Sequence, residues 1–249
     1  MPVWIQAGGW GLLAGGALVI GALVAWFVTV PQRVVASVMA FGAGVLISAL
    51  AFDLVDEAES TGGLGPTLVG FLGGAIVYVV ANVVLARFGA RHRKRSQEQQ
   101  PSEEQQAGSG AAIAVGALLD GVPESVVLGL SLLGGGGVGV PVLVAIFISN
   151  LPEGLASAAG MRRSGRSAGY VFGVWISVAA ASGLAGLLGC LLLQGASGGA
   201  IAVITAVAAG AILAMVADTM IPEAFERTHM YAGLIATLGF GLAFSVERL

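Results

Sequence analysis

Two short stretches carry residues able to do chemistry: Asp120-Gly121-Val122-Pro123-Glu124 and Ser149-Asn150-Leu151-Pro152-Glu153-Gly154. Each Pro-Glu pair falls midway along an apolar run long enough to span a bilayer. A carboxylate near the bilayer centre costs roughly 2.5–3.5 kcal/mol. At Asp120, Glu124 and Glu153 a cation, a proton or a polar pathway must therefore offset that cost. Proline lacks an N–H and clashes with the carbonyl four residues back, so each helix is expected to open at that turn. Freed carbonyls at membrane depth are tolerated only where protein, water or an ion meets them. Carboxylates and loosened backbone oxygens on two successive spans make the ingredients of a cation site.

Positions i and i+4 share a helix face, which pairs Asp120 with Glu124 and Ser149 with Glu153, with Asn150 one step around. If the two helices are neighbours, these groups converge into an oxygen-lined cage. Small residues near the motifs, among them Gly116, Gly121 and Gly129, would allow close approach. Oxygen-only ligation suits magnesium, manganese, iron(II) or calcium; zinc accepts carboxylates, usually with imidazole or thiolate beside them. The two histidines, His92 and His229, both lie away from the span centres. His92 reads as a solvated loop residue. His229 reads either as a surface side chain or as part of an exit with Glu223 and Glu226.

The elements that must position these groups follow from composition. The chain has 249 residues, 57% hydrophobic and only 10% charged, against about 25% charged in soluble domains. An integral membrane protein is the reading this supports. Spanning stretches are expected at 8–30, 34–58, 65–88, 109–134, 138–161, 168–194, 198–224 and 228–246. The first lacks a basic leader and is read as a retained span, not a cleaved signal. With the N-terminus outside, ten of the eleven Lys and Arg residues fall on the cytoplasmic side and only Arg248 outside. Eight helices with both termini outside the cytoplasmic (inner) membrane are therefore expected. The hydrophilic block from about 91 to 110, RHRKRSQEQQPSEEQQAGSG, is expected to be a disordered cytoplasmic loop of one single-domain chain, 1–249. Its basic start could also touch anionic lipid. The single cysteine, Cys190, excludes an internal disulfide.

Two echoes extend the pattern. Asp53-Leu54-Val55-Asp56-Glu57-Ala58 ends the second span, and Thr219-Met220-Ile221-Pro222-Glu223-Ala224 ends the seventh, on opposite faces of the membrane. Opposite orientation in spans 1–3 and 6–8 is the mark of an inverted-repeat transporter. Asp53 and Asp218 lie deeper and read as functional. Asp56, Glu57 and Glu59 lie where charge is well tolerated, and read either as an entry site or as helix-ending charges.

These residues resemble the ZIP (ZRT/IRT-like protein) family of divalent-metal transporters, along essentially the whole chain. The family has eight helices, outside termini, a variable loop between helices three and four, and inverted three-helix repeats around helices four and five. Its HNxPEG-like and HxxPEG-like motifs stand here as DGVPES and SNLPEG. The family's helix-four histidine and asparagine are Asp120 and Gly121; its helix-five histidine is Ser149; the sixth span, 168–194, holds no acid. The resemblance implies an all-α transporter without a cofactor that moves zinc, manganese, iron or cadmium into the cytosol by alternating access. It implies transit ligands among Asp120, Glu124, Ser149, Asn150 and Glu153, entry through Asp53 and Glu57, and exit through Asp218 and Glu223. Membrane lipid and a second copy of the chain are the implied partners, with no nucleic acid. Two rivals stay open: a proton-linked carrier of a small organic solute, and a metal-binding membrane protein without flux. Neither a phosphate-binding loop nor a Ser/Lys, HExxH or paired-aspartate protease pattern is present, so an enzyme is not expected.

Overall fold

The computed structural model describes residues 1–94, 100–102, 104–133 and 138–248. Among them there is no strand. Helix α1 (Val3–Phe27) is followed by α2 (Gln32–Ala49), a π-helical turn (Leu50–Leu54) and α3 (Val55–Gly62), which run on as one 31-residue span. Helix α4 (Leu64–Arg87) leads into a short 3-10 turn, Ala90–His92. Helices α5 (Ser109–Ser131), α6 (Val140–Arg163) and α7 (Ala168–Leu193) come next. Then α8 (Gly198–Met215), a second π turn (Val216–Met220) and α9 (Ile221–Thr228) form another 31-residue span, and α10 (Tyr231–Glu247) closes the described chain.

Seven of these stretches are long and apolar enough to cross a membrane, and α10 is a shorter apolar helix of the same character. The protein is thus an all-helical, multi-pass membrane protein. Such helices have little amphipathic pattern to guide their docking, because lipid tails are as apolar as a protein core. Glycine supplies the specificity instead. A Cβ on Gly154 of α6 would overlap the Leu18 carbonyl of α1, and one on Gly21 of α1 would overlap the Leu151 carbonyl in return. The same reciprocal arrangement joins α4 to α8 through Gly74 and Gly210, and α2 to α10 through Gly44 and Gly239. Backbones in each pair therefore touch directly, as small residues permit in membranes. The outward side of α4, with Val69, Leu72, Ile76 and Val77 exposed, presents aliphatic surface suited to lipid.

Three features differ from expectation. The helices run unbroken through Pro123 and Pro152. Each proline still deletes a donor to the carbonyl four residues back, but the irregular turns lie instead in the spans that carry Asp53 and Asp218. Helices α5 and α6 meet only sparingly; α5 packs chiefly on α7, and α6 on α1 and α2. Asp120 of α5 and Glu153 of α6 are joined instead through the Lys94 ammonium. Third, parts of the block expected to be disordered have definite places: Arg93, Lys94 and Gln100 are buried within the bundle. Residues 95–99 and 103 of that block, and the glycine turn 134–137, lie outside the described residues.

Candidate cation site

Asp120 and Glu124 lie near the middle of α5, and Glu153 near the middle of α6. All three are at most 3% exposed. What fills the space between them comes from the chain itself. The turn after α4 folds back into the bundle and delivers two cations, Arg93 and Lys94.

Arg93 grips Asp120 with both prongs of its guanidinium. Nε donates to Oδ2 at 3.0 Å and Nη2 to Oδ1 at 2.9 Å. The remaining donors reach α4: Nη2 also donates to the Tyr78 hydroxyl at 2.9 Å, and Nη1 to Asn82 Oδ1 at 2.6 Å. Tyr78 then donates its own hydroxyl proton to Asp120 Oδ1 at 2.8 Å. Tyr78 and Asn82 are spaced i, i+4, so both point from one face of α4. The Arg93 stem crosses α5 at Gly116, one turn before Asp120, where a Cβ would stand 2.5 Å from Arg93 Cδ. Gln100 Nε2 donates to the Arg93 carbonyl at 2.9 Å and to the Ser157 carbonyl of α6 at 3.2 Å, closing the fold of the turn. Burial works against a charge on Arg93, but the Asp120 carboxylate and its hydrogen bonds outweigh that, so the guanidinium is held above its ordinary pKa.

Lys94 is held differently. Its Nζ lies 2.7 Å from Glu153 Oε1 and 3.4 Å from Asp120 Oδ2, so one ammonium bridges α6 to α5. Glu124 is the remaining member. It is within electrostatic reach of Glu153, Lys94 and Asp120, yet neither of its carboxylate oxygens has a hydrogen-bond partner among the described residues. A buried acceptor left this way is costly, and these two oxygens are the unpartnered acceptors of the cluster.

The expected cage is only partly assembled. Ser149 donates its hydroxyl to the Ile146 carbonyl of its own helix at 3.0 Å. Asn150 donates its amide to the Ala14 carbonyl of α1 at 3.0 Å, which ties α6 to α1 and leaves its oxygen as a possible ligand. Among the described residues no three His, Cys, Asp or Glu side chains come together as a ready-made metal cluster. Away from the centre, Asp53 is half-buried in its π turn with Glu57 and Glu247 nearby, Glu57 itself being exposed. Asp218 is exposed in the second π turn and Glu223 is buried on α9. His92 is half-buried; His229 is exposed, packed edge-on to Phe225, with a left-handed φ of +46°.

Tyr78, Asn82, Arg93, Lys94 and Glu247 were not singled out from sequence. Asn82 offered a signal: it is an amide inside the apolar run of the third span, and Tyr78 precedes it by one turn. A stronger one lay in the acids themselves, since three intramembrane carboxylates require counter-charges and the block RHRKR is the nearest supply.

A scan against protein-family models gives no match, and a comparison with curated proteins gives none either.

Proposed function

We propose that the protein is a divalent-cation transporter of the ZIP type, moving zinc, manganese, iron(II) or cadmium toward the cytosol through the carboxylates of α5 and α6. One observation carries this reading: Glu124, fully buried at mid-span, offers two unpartnered oxygens beside Glu153 and Asp120. A buried ionisable group with no protein partner is a ligand waiting for a cation. In this reading the ion is substrate, held by Glu124 and Glu153 with the Asn150 oxygen. Asp120, neutralised by its bidentate pair with Arg93, anchors the turn after α4 beside these ligands.

The paired π turns support the inverted-repeat arrangement. Each sits in a 31-residue span between an 18-residue and an 8-residue helix, and each carries one acid, Asp53 or Asp218. Asp53, with Glu57 and Glu247, would gather the ion on one side; Asp218 and Glu223 would receive it on the other. Rocking of one helix group against the other around the central site would alternate access. The protein would lie in the cytoplasmic membrane with Arg93 and Lys94 on the cytosolic half, and a homodimer through exposed apolar helix faces belongs to the same proposal.

A second reading has its own observation: the site already binds a guanidinium and a primary ammonium, as a carrier of small organic cations would. Uptake into vesicles holding the purified protein separates the two. Saturable uptake of radiolabelled zinc or manganese, lost in Glu124→Gln and Glu153→Gln, is expected. Uptake of guanidine or a simple amine without any divalent flux would overturn the metal reading in favour of the second.

A further inference from the structure

Arg93 and Lys94 are adjacent in sequence and reach the same cluster, but they are not held alike. Arg93 makes four hydrogen bonds with fixed geometry, two of them in a bidentate pair with Asp120, and its stem fills the groove that Gly116 leaves open. Bidentate guanidinium–carboxylate pairing combines strength with rigid geometry. Lys94 has one short contact, to Glu153, and a longer one to Asp120. Its ammonium is a point charge on a flexible four-carbon stem, held by fewer contacts of fixed geometry than the guanidinium beside it.

Charge gives the two roles meaning. Counting Asp120, Glu124, Glu153, Arg93 and Lys94 as ionised, the occupied cluster carries one net negative charge. With Lys94 withdrawn it carries two, which one divalent cation would neutralise. Arg93 thus permanently cancels Asp120, while Lys94 sits on Glu153, an oxygen donor that the transported ion requires.

We infer that Lys94 is a tethered competitor for the cation site: it occupies Glu153 when the site is otherwise vacant, and an incoming divalent ion must displace it. The inference rests on the transport reading above and adds to it a built-in brake on affinity. A ligand that binds only the fraction of molecules with the tether displaced has its apparent affinity lowered by that fraction, and a tethered group competes at high effective concentration. Removing the ammonium is expected to tighten divalent binding by about tenfold or more.

Removing a positive charge would also tighten binding by electrostatics alone, so the test needs a readout of displacement. Lys94 is the only lysine in the chain, which makes its ε-amine a unique target for an acylating reagent. Purified protein in detergent would be titrated with radioactive zinc and, in parallel, pulsed with an N-hydroxysuccinimide ester, Lys94 acylation being read by peptide mass spectrometry. Acylation is expected to rise as zinc fills the site, at the same half-saturation, and Lys94→Gln should half-saturate at a zinc concentration lower by about tenfold or more. Zinc binding that saturates while Lys94 stays unreactive, or a Lys94→Gln protein that binds no tighter, would overturn the tether and leave the transport reading standing. Binding of neither zinc nor manganese by the parent and by Lys94→Gln would instead sink the transport reading.

Discussion

Arg93 uses four of the five N–H donors of its guanidinium inside the bundle, and that sets the cost of losing it. An Arg93→Met protein strips Asp120 of its bidentate partner and leaves it only the Tyr78 hydroxyl and the more distant Lys94 ammonium, which should destabilise it by up to about 3–5 kcal/mol. Thermal unfolding in detergent would read this, and Arg93→Met combined with Asp120→Leu should recover much of the loss, because an apolar pair can replace a buried ion pair. Tyr78→Phe removes a hydroxyl that both accepts from Arg93 and donates to Asp120. Its expected cost is smaller, on the order of 1–3 kcal/mol. At this scale the sequence was half legible. The price of burying Asp120, Glu124 and Glu153 was visible in each local run, and so was the demand for an offsetting cation. The supplier was not, because Arg93 pairs across 27 positions with Asp120 and sits in a block whose composition otherwise signals solvent.

Elements place these residues through glycine. A Cβ at Gly154 would strike backbone atoms of Leu18, which cannot be moved by a rotamer change. Gly154→Ala should therefore separate α1 from α6 and cost about 1–3 kcal/mol, the usual penalty of overpacking, measurable as a lowered unfolding temperature. Gly116 tests a different contact. A larger side chain there meets the Arg93 stem, so Gly116→Val should expel the turn from the bundle. Limited proteolysis near residues 91–94 would show the result as faster cleavage than in the parent. The spans themselves were legible, since twenty apolar residues in a row admit few alternatives. The π turns at Leu50–Leu54 and Val216–Met220 were not: one extra residue in a helical turn leaves no mark in hydrophobicity. Proline drew attention to α5 and α6, yet both helices stay continuous there. The sparse contact between them arises because each is committed elsewhere, α5 to α7 and α6 to α1.

Across the whole molecule, glycine-joined helix pairs, α1 with α6, α4 with α8 and α2 with α10, accompany a buried polar cluster that the chain supplies with its own cations. The topology behind the transport reading is open to a direct check. In a Cys190→Ser background, single cysteines at Glu104 and Ser60 should react with a membrane-impermeant thiol reagent from opposite sides of the membrane. Labelling from the same side would contradict the count of spans between them. The most direct measurement of the central claim is the position of a bound ion. A structure of the protein with manganese or cadmium, with anomalous scattering to mark the metal, should show density between Glu124 and Glu153, about 2.0–2.6 Å from their oxygens. Lys94 should then be withdrawn from Glu153, with Arg93 still on Asp120. Metal density confined to the Asp53 or Asp218 ends, with Lys94 still seated on Glu153, would contradict a transit site at the centre of the bundle.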